Sequence, residues 1–214
     1  MNKDENILGV TELLEKEYPD AKIALRYTNP LELLVATMLS AQCTDRKVNE
    51  VTNTLFRKYR TAEDFANANI RTLERELRPT GFYHNKARNI KKTSQALLKQ
   101  FGGQVPKTME ELLTLPGVAR KTANIVLSNG FGITEGIAVD THVGRLAQRL
   151  MLSKNHDPNK IEQDLMRIIP KEQWSKFTDL LIFHGRRICT ARNPMCDRCV
   201  IVKHCPSAFK FSRR

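Results

Sequence analysis

A chain of 214 residues, 41% of them hydrophobic, can fill one large or two small cores and reads as an ordinary globular protein. Its longest nearly apolar run, residues 33–39, falls far short of the roughly 20 residues a membrane span needs, so no membrane anchor is expected. Lysine and arginine number 35 against 23 acids, and the formal net charge of +12 favours a polyanionic partner.

The first residues, Met1-Asn2-Lys3-Asp4-Glu5-Asn6, lead into no apolar segment of the secretory type, so a reducing cytoplasm is the expected setting. After the break at Asn29-Pro30, Leu31, Leu34, Val35, Met38 and Leu39 recur at helical intervals. A polar block follows, Leu39-Ser40-Ala41-Gln42-Cys43-Thr44-Asp45, in which Cys43 reads as a half-buried small side chain. Beyond Pro79-Thr80-Gly81 a second amphipathic helix is marked by Ala87, Ile90, Ser94, Leu97, Leu98 and Phe101. Residues 82–104 also hold Lys86, Arg88, Lys91, Lys92 and Lys99 with no acid, a pattern suited to phosphate contact. Thr108-Met109-Glu110-Glu111 has the capping-box spacing and opens a short helix that must stop at Leu115-Pro116-Gly117. A second helix starts near Arg120. Two helices joined by so tight a turn can be a plain αα-hairpin. They also leave backbone N–H groups free at a helix N-terminus, where a phosphate can be held without reading sequence. Breaks at Gly102-Gly103, Gly130, Asp157-Pro158 and Pro170 complete a division into about ten short helices, and no stretch alternates as a strand would. The predicted fold is all-α.

The last 26 residues hold Cys189, Cys196, Cys199 and Cys205, spaced C-x6-C-x2-C-x5-C. Four thiolates in one short loop can wrap a cubane cluster or a tetrahedral metal ion, and the spacing matches neither the paired C-x2-C of structural zinc sites nor a two-cluster ferredoxin. A single 4Fe-4S cluster leads, with a four-cysteine zinc ion and then two disulfides behind it. The same tail, residues 186–214, has eight basic residues and one acid, Asp197.

Leu115-Pro116-Gly117-Val118-Ala119-Arg120-Lys121, then Val139-Asp140-Thr141-His142, then the four cysteines, together with the Ser40-Ala41-Gln42 block, resemble the endonuclease III family of helix-hairpin-helix DNA glycosylases over residues 29–205. Two positions depart from that pattern: Ala119 stands where a second glycine is usual, and Phe82 where a leucine is usual. The resemblance implies a nucleophilic lysine at Lys121 and a catalytic aspartate at Asp140, although an aspartate before Thr141-His142-Val143 can equally be a helix N-cap. His142 is expected to pack or cap rather than shuttle protons. Gln42 and Phe82 would fill the space left by a flipped nucleotide, and Asp45 would lie at the pocket edge. Gly117, Val118, Ala119 and Arg120 would meet the DNA backbone. The four cysteines would bind a 4Fe-4S cluster whose task is to fix the loop carrying Arg192 against DNA.

By the same resemblance the fold is two helical domains flanking a DNA-binding cleft, with Lys121 and Asp140 on opposite sides. One is a six-helix domain over residues 21–135 with the hairpin; the other combines residues 1–20 and 136–214 with the cluster loop at 189–205. The implied partner is double-stranded DNA with damaged pyrimidines or abasic sites, met by a monomer in the cytoplasm, and at the nucleoid if the source is a bacterium or archaeon. The activity implied is removal of oxidised pyrimidines followed by β-elimination at the abasic site. Three rivals are a monofunctional adenine glycosylase of the same superfamily, which usually has serine at the Lys121 position, a non-catalytic DNA-binding module, and an electron carrier. The last leaves the hairpin and the +12 charge unexplained.

Overall fold

The computed structural model describes residues 3–211; among them are eleven α-helices, four short 3-10 turns and no strand. Arg213 and Arg214, counted above in the basic tail, lie outside the described residues. No described helix is long and apolar enough to cross a membrane. The chain divides into two compact units, Met1–Ile23 with Gly136–Arg214, and Ala24–Glu135.

The chain enters with α1 (Lys3–Glu17), part of the discontinuous unit. The continuous unit begins at α2 (Pro30–Leu39), where Asn29 accepts a hydrogen bond from Glu32 N at 2.9 Å and Pro30 supplies the preset φ of a first helical residue. Every residue from Leu33 to Leu39 is buried, as a helix apolar on all sides must be, and α2 packs on α8 (Arg120–Phe131). Each fully buried leucine of α2, such as Leu33, Leu34 or Leu39, contributes about 1.5–3 kcal/mol. Between them lie α3 (Asp45–Lys58), α4 (Ala62–Asn67), α5 (Ile70–Leu77), the long α6 (Tyr83–Phe101) and the five-residue α7 (Met109–Leu113). Helix α6 packs against α4 and α5 through Ala87, Ile90 and Leu97, and stops at Gly102, whose φ of 58° suits glycine.

Two expectations for α6 need correction. Leu98 is 39% exposed, whereas the expected Ser94 and, beside it, Thr93 are buried. Nor is the basic run wholly a phosphate surface. Lys86 lies on the face of Ala87 and Ile90 and is buried, its Nζ donating to Thr80 O at 2.8 Å, while Lys91 Nζ donates to Ala68 O at 2.6 Å. An ammonium removed from water needs an acceptor, and the carbonyl at the Pro79-Thr80-Gly81 turn provides one. Burial lowers the Lys86 pKa accordingly. Arg88, Lys92 and Lys99 remain exposed.

The discontinuous unit gathers α1, α9 (Thr141–Arg149), α10 (Pro158–Met166), α11 (Trp174–Arg187) and the cysteine loop around one core. Ile7, Val10, Leu14 and Tyr18 repeat at helical spacing and are buried, joining Val143, Leu146, Phe177 and Leu180 from residues more than a hundred positions away. One group on α11 is poorly suited to its surroundings. Burial raises the Asp179 carboxyl to about 6, against the pull of Lys176 and Arg186. A carboxyl whose folded pKa lies above its unfolded value subtracts stability once it is ionised, so stability falls as pH rises from about 4 through 6. Asp179→Asn should therefore stabilise the protein by about 2 kcal/mol above pH 6, with the gain shrinking to nothing towards pH 4. Urea midpoints measured across that range give the test; a gain independent of pH would contradict it.

Candidate functional site

The hairpin turn is built by α6. Gly117 has φ 78°, and a Cβ there would meet the Asn89 side chain at 3.0–3.1 Å, so both backbone and space require glycine. Thr93 Oγ1 donates to Pro116 O at 2.5 Å and holds the turn from the same helix. Val118 is buried beneath it. Ala119 takes φ −103° and ψ 168°, an ordinary extended conformation in which alanine costs nothing relative to glycine. The residue that departs from the usual glycine is thus at no disadvantage in the fold. Ala119 is the N-cap of α8 and has no side chain able to accept from the first-turn N–H groups. Arg120 and Lys121 are the first two residues of α8, and both are partly exposed.

Gln42 and Phe82 share an unusual backbone. Each is a non-glycine residue in the left-handed region, with φ 52° and 49°, and each is exposed, Phe82 to 63%. Such conformations cost on the order of 1 kcal/mol and persist where the surroundings impose them. Phe82 also serves as the N-cap of α6 without a capping side chain. Behind it, Gly81 has φ 68° and the buried Lys86 ammonium grips Thr80 O, so the turn presenting the ring is held from inside. Asp45 is the first residue of α3, after the N-cap Thr44.

In the discontinuous unit, Asp140 is the N-cap of α9: its Oδ1 accepts from His142 N at 2.7 Å and Val143 N at 2.8 Å. Both bonds use one oxygen, and Oδ2 stands outside the cap. His142 packs against Arg145. Arg145 Nη2 lies 3.1 Å from its Nδ1, and since arginine only donates, that nitrogen is an acceptor. Burial lowers the His142 pKa. Two arginines one turn apart on α9 then tie down the start of the cysteine loop. Arg145 donates to Gly185 O at 2.8 Å and Cys189 O at 3.1 Å, and Arg149 to Thr190 O and Ala191 O, both at 2.8 Å. Gly185 permits this close packing, since a Cβ there would meet His142 and Arg145 at 3.1 Å. None of these three was singled out from sequence; the signal was a pair of arginines at i, i+4 among the apolar Val143, Leu146, Ala147 and Leu150.

The four cysteines face one cavity, which Arg149, His184 and Phe211 also line. Their sulfurs ring it rather than meet: among the described residues no three His, Cys, Asp or Glu side chains are close enough together to hold a single ion. Polar groups already lie within reach of several of these sulfurs. Arg149 Nη1 lies 3.1 Å from Cys189 Sγ, His184 Nε2 3.3 Å from Cys199 Sγ, and Phe209 N 3.4 Å from Cys196 Sγ. Burial pushes the Cys199 thiol up to about 11 and also raises that of Cys205, so thiolates here need a bound cation to offset their desolvation. Arg192 is exposed in the loop between Cys189 and Cys196.

Residues 35–171 match the HhH-GPD superfamily of base excision DNA repair proteins. The chain is 49% identical over 207 residues to "Endonuclease III" of Synechocystis sp., covering 97% of this chain and 94% of that one. Among solved structures it is similar to a non-covalent endonuclease III–DNA complex, with a TM-score of 0.93 at 44% identity and 98% of each chain covered. A trapped covalent endonuclease III–DNA intermediate gives the same TM-score and identity, over 98% of this chain and 99% of that one. Hairpin, capped aspartate and cysteine loop thus occur together in a chain that belongs to the endonuclease III family of base excision DNA repair glycosylases and abasic-site lyases.

Proposed function

We propose that the protein removes oxidised pyrimidines from double-stranded DNA through a covalent intermediate at Lys121 and then nicks the abasic strand by β-elimination, acting as a monomer in the cytoplasm. The observation that carries this reading is the position of Lys121, second residue of α8 and directly behind the Gly117 turn. First-turn N–H groups of α8 and the Arg120 side chain hold the phosphate backbone, which brings the amine to the sugar. The unprotonated Nζ attacks C1′, the glycosidic bond breaks, and the base departs with the bonding electrons and gains a proton. Nζ then gives up a proton, the C1′–O4′ bond opens with O4′ taking up a proton, and the resulting iminium acidifies the 2′ hydrogen; its removal expels the 3′ phosphate and leaves an unsaturated sugar that water releases from the lysine. Asp140 offers Oδ2 as a negative charge for the cationic sugar and as a proton carrier, while Oδ1 keeps α9 capped. Gln42 and Phe82, fixed in left-handed conformations, fill the gap left by the flipped nucleotide.

Cys189, Cys196, Cys199 and Cys205 are the proposed ligands of a 4Fe-4S cluster. Four cysteine sulfurs around one cavity, with the Arg149 guanidinium and the Phe209 amide aimed at two of them, support the cluster reading. When bound, the cluster supplies a rigid anchor for the loop and no bond-breaking chemistry. The loop in turn presents Arg192 to the DNA backbone. A lysine at position 121 disfavours the monofunctional adenine glycosylase, which has no use for an amine there.

The test is a lesion panel on labelled duplexes carrying one thymine glycol, one adenine opposite guanine, one abasic site or no lesion. Thymine glycol and abasic duplexes should be nicked, and the mispaired and undamaged ones left intact. Removal of the mispaired adenine without nicking would overturn the proposal in favour of the monofunctional enzyme.

A further inference from the structure

The end of α1 reaches the cysteine loop through a single buried histidine. Tyr18 Oη lies 3.0 Å from His184 Nδ1, and His184 Nε2 lies 3.3 Å from Cys199 Sγ. Tyr18 is 4% exposed and His184 1%, so water does not compete for either hydrogen bond. Arg187 stacks its guanidinium 5.6 Å from the centre of the Tyr18 ring, and Phe183 packs 6.2 Å away, which keeps the phenol in place. The geometry points to a relay in which Tyr18 fixes the tautomer of His184 so that the imidazole donates a hydrogen bond to the cluster ligand Cys199 and raises the reduction potential of the cluster. The relay rests on the 4Fe-4S reading given above.

Accounting for hydrogens leaves one arrangement. A cysteine sulfur bonded to iron has no proton and can only accept, so the nitrogen facing it, Nε2, must carry the hydrogen. A neutral imidazole has one N–H, which makes Nδ1 an acceptor, and the Tyr18 hydroxyl is the donor placed to meet it. A hydrogen bond to a ligand sulfur draws electron density from the iron and favours the reduced cluster; a phenol polarising the imidazole strengthens it. The Arg149 guanidinium and the backbone amides that reach the sulfurs, Phe209 at Cys196, Ile201 at Cys199 and Ser207 at Cys205, have fixed hydrogens and need no partner to orient them. His184 alone can present either a hydrogen or a lone pair to its sulfur, and Tyr18 decides which.

Purified holoproteins with measured iron and sulfide content test this through their midpoint potentials, read by potentiometric EPR. Tyr18→Phe and His184→Leu should both move to more negative potential, His184→Leu further. His184→Gln, whose amide N–H can occupy the position of Nε2–H, should stay near the wild type. Unchanged potentials in fully loaded Tyr18→Phe and His184→Leu would overturn the relay and leave the cluster reading standing. If His184→Leu does not fold, Tyr18→Phe, which loses one oxygen and keeps the ring, decides alone. A wild-type protein purified anaerobically without iron or sulfide would overturn the cluster reading and the relay together.

Discussion

Lys121→Gln should abolish strand nicking at an abasic site, lowering it by at least about three orders of magnitude, while binding to the same duplex stays within a few-fold of wild type. Glutamine is a good helix former of similar length, so the start of α8 and the N–H groups proposed to meet the phosphate survive the change. What disappears is the amine proposed to form the covalent bond. Borohydride reduces an iminium to a stable secondary amine, so wild-type protein mixed with abasic duplex should give a covalent adduct on denaturing gels. Lys121→Gln should give none. An adduct that persists in the variant would place the nucleophile on another amine, and nicking without any adduct would remove the Schiff base from the mechanism.

Most of the local structure around this lysine was legible in the sequence, because caps, turns and helix starts obey rules that span a few residues. Asn29-Pro30 opens α2, Thr108 caps α7, Gly117 has positive φ, and α8 starts at Arg120. The run at residues 33–39 announced a helix buried on every side. Partners distant in sequence were not legible. Periodicity says which face of a helix is buried but not against what, so the contact between Tyr18 and His184, 166 positions apart, left no mark. Charge was the least reliable guide. Lys86 and Lys91 sit in an acid-free basic run that suggests phosphate, yet carbonyls of their own unit hold both. A long aliphatic stem lets a lysine follow an apolar face and end on a backbone oxygen, and composition does not distinguish this from a solvated cation. The left-handed backbones of Gln42 and Phe82 could not be read either, because neither residue type favours that region.

Asp140 was open to two readings, N-cap or catalytic carboxylate, and the structure gives it geometry for the first without excluding the second. The roles separate by substitution. Asparagine caps a helix as well as aspartate does, since its side-chain oxygen can accept from His142 N and Val143 N in the same way, but it has no charge to offer a cationic sugar. Asp140→Asn should therefore melt within about 0.5 kcal/mol of wild type and bind abasic duplex normally, yet lose about 100-fold or more in base removal. Asp140→Ala should lose the same activity and a further ~1 kcal/mol of stability, because the first turn of α9 loses its acceptor. The cost would spread beyond α9, since Arg145 and Arg149 on that helix hold the start of the cysteine loop. An asparagine variant that keeps full glycosylase activity would reduce Asp140 to a cap and require another carboxylate for the chemistry. Equal activity losses with unequal melting would show one side chain carrying both loads, one on each oxygen.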